Sequence, residues 1–355
     1  LIFLNYFVTV KGNKNHFNVK FLNGYGFSIT LHKNKIILKD GQNILTKTHY
    51  TESWFVKEIP YEKIILSGNG YLSSNAISLL NHNKINLIIT DTFGNPTSFL
   101  NGAMVSNTTI KNRMGQYDTF RDQYKVLSLQ RWILQEKLQS QIDFLSSLNN
   151  SELDETISKI KFYNLQIDSS VSLHKIEASS ARVYFMGYAK LIPNKFKFES
   201  RRGGGLINSK KNATNIINAL LNYGYTVLAG SIAKFVNGFG LDPYYGFNHK
   251  ADTSFQALVY DMIEPFRWLV EYVVYRFATL QTNGIRLSDY VHTKNGFVVM
   301  DSTLIRRFLE SLERKFQSER EYSFVHGRKM KNGLSMCQEI TICKIFVQKL
   351  INNFT

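Results

Sequence analysis

Three stretches of the sequence place acidic or imidazole groups where their neighbours are apolar or small. In TSFQALVYDMIEPFRWLVEYVVYRF, Leu258, Ile263, Phe266, Leu269, Val270, Val273 and Val274 make a helix apolar around most of its circumference, yet Asp261 and Glu264 sit inside that field at i, i+3. Burying two carboxylates costs several kcal/mol each unless a cation or an arginine neutralises them. Arg267, three residues past Glu264, offers a purely structural solution in a buried ion pair. Pro265 removes a backbone donor and should bend the helix beside the carboxylates.

The second stretch, SLHKIEASSARVYFMGYAKLI, sets Glu177 next to a stripe of Leu173, Ile176, Val183 and Met186, among the small residues Ala178, Ser179, Ser180 and Ala181. By itself Glu177 also reads as an ordinary helix carboxylate at the solvent boundary, and His174 as an exposed side chain. The third, GFGLDPYYGFNHK, combines turn-forming Gly, Asp and Pro with Phe239, Tyr244, Tyr245 and Phe247 and presents His249. A histidine held by such a loop suits a metal ligand or a general base, and equally a packed structural role. Taken together, Glu177, His249 and Glu264, with Asp261 beside them, form a donor set of hard oxygens and one imidazole. That set suits Mn²⁺ well and Mg²⁺ acceptably, and leaves positions for water and a phosphate oxygen.

The elements that must position these groups fall into two textures. Residues 1–103 are broken by Gly and Asn turns into short β-rich runs, HFNVKFL, YGFSITLH, KIILKD, SWFVKEI, EKIILSG, INLIITD and TSFLNG, with one helix at YLSSNAISLLNHN capped by Ser73 or Ser74. The opening LIFLNYFVTV reads as a further strand. Residues 104–355 are mainly helical: a long period-3.6 stretch over Gln116–Leu148, then helices expected at 153–162, 169–190, 212–236, 254–282 (capped by Thr253 or Ser254), 303–316 and 333–353. The fold class expected is therefore α+β, a small β-rich N-terminal domain followed by a larger helical one.

The 355 residues carry 43 Lys+Arg against 27 Asp+Glu, a net charge of +16, with 44% hydrophobic residues. That hydrophobic content excludes a disordered chain, and the charge points to a polyanion, nucleic acid or an anionic membrane. The first arginine is Arg113, so every bidentate phosphate-gripping fork lies in the helical part. Only Cys337 and Cys343 are present, which rules out a disulfide framework or a cysteine-rich zinc site and fits a reducing cytoplasm. With no uninterrupted apolar run of membrane length and no basic amphipathic tail, nucleic acid is preferred to lipid.

The same residues resemble the CRISPR-associated protein one family, the integrase and endonuclease of CRISPR adaptation, over nearly the whole chain. IPYEKIILSGNGYLSSNAISLLNHNKINLIITDTFGNP is similar to the end of that family's β-rich domain, and Gln123–Leu145 to its first long helix. The pattern E-x-x-x-A-R-x-Y-F appears as Glu177, Ala181, Arg182, Tyr184 and Phe185, while NALLNYGYTVL, GLDPYYGFNH and LVYDMIEPFR resemble the segments that follow. The resemblance implies a metal-dependent enzyme of antiviral defence that inserts protospacer DNA into a CRISPR array by attack of a 3′-hydroxyl on a phosphodiester. It further implies Mg²⁺ or Mn²⁺ held by Glu177, His249 and Glu264, with Asp261 as an auxiliary acid. A homodimer through the β-rich domain, a small ferredoxin-like partner protein and double-stranded DNA are the implied partners. Tyr223 and Tyr260 become candidate DNA contacts near the site, and Arg182, Arg201, Arg202, Lys210, Lys211 and Arg267 candidates for the phosphate backbone. Casposases, transposon-encoded integrases with the same catalytic core, share these features. A catalytically silent DNA-binding scaffold, with Glu264 and Arg267 as a structural pair, is the reading of another class.

Overall fold

In the computed structural model, the described residues are 19–42, 48–91, 96–100, 107–169, 172–201, 213–249, 256–282, 284–322 and 335–354. The chain divides into two compact units, one formed by Leu1–Ala103 with Leu309–Arg314, the other by Met104–Phe308 with Lys315–Thr355. The opening strand expected at LIFLNYFVTV lies outside the described residues, as do the caps expected at Thr253 or Ser254.

The first unit is a six-stranded mixed sheet in the order β3-β2-β1-β4-β5-β6. Its strands are β1 (Val19–His32), β2 (Lys35–Lys39), β3 (Thr51–Phe55), β4 (Lys63–Leu72), β5 (Asn86–Thr90) and β6 (Pro96–Leu100). β1–β2–β3 is an antiparallel meander, and β4 then pairs in parallel with both β1 and β5. The connection from β4 to β5 is helix α1 (Ser74–His82), capped by Ser73, whose Oγ accepts from the Ala76 N–H at 3.3 Å. Two strands expected on either side of Asn23–Gly24 are in fact one long strand with a bulge between Tyr25 and Phe27. Gly24 and Gly68 sit opposite each other there with φ of 93° and 109°, and a Cβ on Gly68 would lie 2.4 Å from the Gly24 carbonyl oxygen. Leu22, Ile29, Ile36, Leu38, Ile64, Leu66 and Leu87 fill the core of this unit.

The second unit is helical. α2 (Asn107–Arg121) and α3 (Gln123–Ser147) replace the single long helix expected from Gln116. The break is made by Asp122, which is extended (φ −84°, ψ 111°) and accepts from the backbone N–H groups of Tyr124 and Lys125, capping α3. α4 (Asp154–Leu165), α5 (Leu173–Leu191) and α6 (Ile216–Gly238) follow. α6 is long and apolar enough, by length and composition, to cross a membrane, and 94% of its apolar window is buried inside the protein, as in the central helix of a core.

α7 (Ala257–Ile263) and α8 (Arg267–Thr279) are separated by a 3-10 turn, Glu264–Phe266, which holds Pro265 and gives the bend expected of it. The hairpin β7 (Tyr290–His292)/β8 (Val298–Met300), helix α9 (Ser302–Gln317), the hairpin β9 (Glu319–Tyr322)/β10 (Ser335–Gln338) and helix α10 (Glu339–Ile351) complete the chain. β10 occupies the start of the region expected to be helical from 333.

Candidate active site

The bend between α7 and α8 organises the site. Asp261, fully buried, accepts four hydrogen bonds from the loop that follows α6: Oδ2 takes the N–H groups of Phe247 (2.8 Å) and Asn248 (3.0 Å), and Oδ1 takes the His249 N–H (2.9 Å) and faces His249 Nδ1 at 2.6 Å. This carboxylate thus folds the loop and fixes the imidazole, so that any ligand bond from His249 is made by Nε2. Gly246 is required for the approach, because a Cβ there would stand 2.6 Å from Asp261 Oδ2.

The other side of the loop is clamped by α2 and α3. Gln116 donates to the carbonyls of Asp242 (3.0 Å) and Tyr245 (2.8 Å) and accepts from the Asp242 N–H at 2.7 Å. The Tyr117 hydroxyl donates to Asp242 Oδ2 at 2.7 Å, and Gln130 donates to the Phe247 carbonyl at 3.0 Å. Phe120 packs on both Tyr245 and Phe247, which accounts for the aromatic density of the loop.

Glu264, 4% exposed, and Glu177, 30% exposed, come from the bend and from α5, and the ammonium of Lys137 on α3 joins them. Lys137 Nζ lies 2.7 Å from Glu177 Oε1 and 2.8 Å from Glu264 Oε2, while Arg267 Nη2 holds the other Glu264 oxygen at 2.6 Å. Burial alone would raise the Glu264 carboxyl, but Arg267 and Lys137 overcome it and pull its pKa down to about 2. Burial likewise opposes the charge on Lys137, and Glu264 with Glu177 outweighs it and raises the ammonium above its ordinary range. His249 is raised as well, since its hydrogen bond to Asp261 prevails over burial. Asp261 itself is pushed up by burial against the lowering effect of His249 and the loop N–H groups.

Glu177, Glu264 and Lys137 open on a cleft of about 170 Å³ lined also by Gln130, Ser172, His174 and Asn248. His174 is exposed on α5, as expected, and belongs to the cleft wall. Among the described residues no three His, Cys, Asp or Glu side chains stand together as a ready set of metal ligands. The donor chemistry of Glu177, Glu264 and His249 fits a divalent ion, and the carboxylates are at present closed on a lysine.

The residues expected to contact DNA divide by burial. Arg182 is exposed on α5. Arg201 has its fork on Asn218 (2.7 Å) and Asn222 (2.8 Å) and lies over the rings of Phe185 and Tyr225, and burial lowers its pKa. Tyr223 is 1% exposed, in the core of α6. Tyr260 is half-buried, its phenol pushed up to about 12 chiefly by burial. Arg267 is committed to Glu264 and to the face of Tyr225, 4.7 Å from the ring centroid. Arg202, Lys210 and Lys211 lie outside the described residues. The sequence reading missed Lys137, Gln116 and Gln130. Lys137 had one signal: it is the lone cation on the face of α3 that buries Ile133, Leu134 and Gln141.

A six-stranded mixed sheet followed by a helical unit with a carboxylate-lined cleft defines a two-part α+β fold. A structure of a casposase bound to integration product superposes with a TM-score of 0.82 over 95% of this chain and 90% of that one, at 22% identity, which shows a shared fold. A Cas6-RT-Cas1–Cas2 complex matches 95% of this chain and 35% of its own at a TM-score of 0.69 and 19% identity. The family model described as CRISPR associated protein Cas1 matches residues 21–314, and the chain belongs to that family. A CRISPR-associated endonuclease of Archaeoglobus fulgidus is 27% identical over 324 residues, covering 85% of this chain and 89% of the relative.

Proposed function

We propose that this chain is a divalent-metal-dependent DNA endonuclease and integrase that acts in the cytoplasm and inserts protospacer DNA into a CRISPR array. The observation that carries the reading is the meeting of Glu177 and Glu264 at one helical cleft, with an Asp261-oriented His249 near enough to act electrostatically on Glu264. Family membership and the endonuclease name of the Archaeoglobus relative support the activity. In strand transfer a DNA 3′-oxygen forms a new P–O bond as an existing one breaks, and the departing oxygen takes up a proton. A divalent ion, when bound, polarises the phosphodiester and favours the deprotonated nucleophile. Glu177, Glu264 and His249 Nε2 would hold it. Arg267 keeps Glu264 ionised and restricts it to one oxygen, and Asp261 sets the plane and tautomer of His249.

The net charge of +16 supports double-stranded DNA as substrate, with exposed Arg182 and the basic residues Arg202, Lys210 and Lys211 as contributors to the grip. The Cas1–Cas2 assembly among the structural relatives supports a small ferredoxin-like partner, and the sheet unit is the proposed homodimer contact. The TM-score of 0.82 to a casposase favours a second reading, an integrase that works without the small partner. A strand-transfer assay on supercoiled DNA, with and without Mn²⁺ or Mg²⁺ and with and without the partner, tests both. Glu177→Ala, His249→Ala and Glu264→Ala each abolish transfer while DNA binding survives; metal-independent transfer in all three overturns the reading.

A further inference from the structure

The position of Lys137 has a chemical consequence for metal entry. Its ammonium touches one oxygen of Glu177 and one of Glu264, at 2.7 and 2.8 Å, so it is a cation already seated between two of the proposed ligands. A hard divalent ion of the size of Mg²⁺ takes carboxylate oxygens at about 2.0–2.1 Å and holds its ligands in a tight shell. With Arg267 on the other Glu264 oxygen, the ion competes with the ammonium for Glu264 Oε2, and a cation in contact with both carboxylates repels it. Removing the lysine need not dismantle the site. Arg267 holds Glu264 by its other oxygen, His249 is fixed by Asp261, and Glu177 stands on α5, so the ligands stay where they are when the ammonium leaves.

We propose that Lys137 is a built-in placeholder cation that the catalytic metal displaces, so that metal binding and the Lys137 bridge between Glu177 and Glu264 exclude each other. The inference rests on the proposed metal site and adds to it a residue that lowers the affinity of that site in exchange for keeping two adjacent carboxylates paired in its absence. Loss of a competing cation then strengthens metal binding, the reverse of what removal of a supporting residue does.

Two measurements on the full chain, with Mn²⁺ alone as probe and no DNA, test it. The first is titration of wild type, Lys137→Met, Lys137→Arg and Glu264→Gln, followed by the paramagnetic resonance of free Mn²⁺ and by melting temperature. Lys137→Met binds Mn²⁺ about tenfold or more tightly than wild type, melts lower without metal, and gains more from Mn²⁺. Lys137→Arg, which keeps the charge, stays close to wild type. The second, independent of whether the Met variant folds, is acylation of lysines in the wild type read by mass spectrometry. Labelling of Lys137 rises when Mn²⁺ is added, relative to lysines on the sheet unit. Equal or weaker Mn²⁺ affinity in Lys137→Met, or labelling indifferent to Mn²⁺, overturns the placeholder while leaving the metal site intact. Absence of binding in wild type and Lys137→Met alike overturns the metal site and the placeholder with it.

Discussion

Glu264 and Glu271 stand on either side of Arg267 along the same bent segment, both almost without solvent, and they titrate in opposite directions. Glu264 faces two full cations, Arg267 and Lys137, which outweigh its burial and hold its carboxyl near pKa 2. Glu271, 1% exposed, receives the hydroxyls of Tyr184 and Tyr225, the latter at 2.6 Å, and burial prevails over these neutral donors and over the charges of Arg267 and Arg201 to raise it. The Tyr188 hydroxyl ties down the backbone of the same residue at 2.8 Å. Depth alone does not decide whether a carboxyl in this core is charged. Cations in direct contact do, and one bent segment thereby supplies an ionised carboxylate at the cleft and a structural anchor seven residues apart.

The comparison breaks first at activity. Glu264→Gln should lower single-turnover strand transfer by about 100-fold or more, whereas Glu271→Gln should stay within about threefold, because only Glu264 reaches the cleft. Equal losses would erase the distinction between ligand and anchor. Acid unfolding of the metal-free chain probes the same contrast. A carboxyl lowered from 4.5 to about 2 on folding stabilises the protein above the ordinary value and loses that contribution as pH falls towards 2, on the order of 3 kcal/mol. Glu264→Gln should flatten this acid limb in urea titrations.

Arg267→Met removes one of the two cations. It should cost roughly tenfold in strand transfer and move the acid limb to higher pH, an outcome read from the same curves. Glu271 carries the opposite sign: a carboxyl raised on folding gives stability that is full below the ordinary 4.5 and fades as pH rises through its raised value. As pH rises above 4.5 the wild type should therefore lose stability relative to Glu271→Gln. The smallest effect expected is that of Tyr225→Phe, about 1 kcal/mol in chemical unfolding, from one lost hydrogen bond to Glu271.

Much of this arrangement is legible in the amino-acid sequence. Asp261 and Glu264 stand out because they interrupt an apolar helix, Pro265 announces the bend beside them, and His249 ends an aromatic loop of turn-forming residues. What stayed hidden depended on contacts distant in sequence. Lys137 and Gln130 look like ordinary polar positions of an amphipathic helix until α5 and the histidine loop are packed against them. Arg201 is a phosphate-backbone candidate by family resemblance, and its contacts with Asn218 and Asn222 of α6 are not visible in the sequence. Asp122 reads equally well as a polar residue within a helix or as the cap of a new one, and its extended backbone decides for the cap. The long β1 strand was read as two because its glycines signal turns, and here they serve a bulge and a close cross-strand approach.

Beside the buried Asp261 carboxylate and the Tyr117–Asp242 contact, the clamp on the histidine loop is made of amides. Gln116 and Gln130 hold the backbone of Asp242, Tyr245 and Phe247 through neutral hydrogen bonds, with Phe120 wedged beneath. Neutral bonds of this kind are not screened by dissolved ions, whereas contacts between arginines or lysines and a phosphate backbone weaken steeply as ionic strength rises. Salt should therefore loosen the chain's hold on a polyanion long before it unseats His249, and a rinse in concentrated salt would release nucleic acid from a protein whose catalytic geometry is still set.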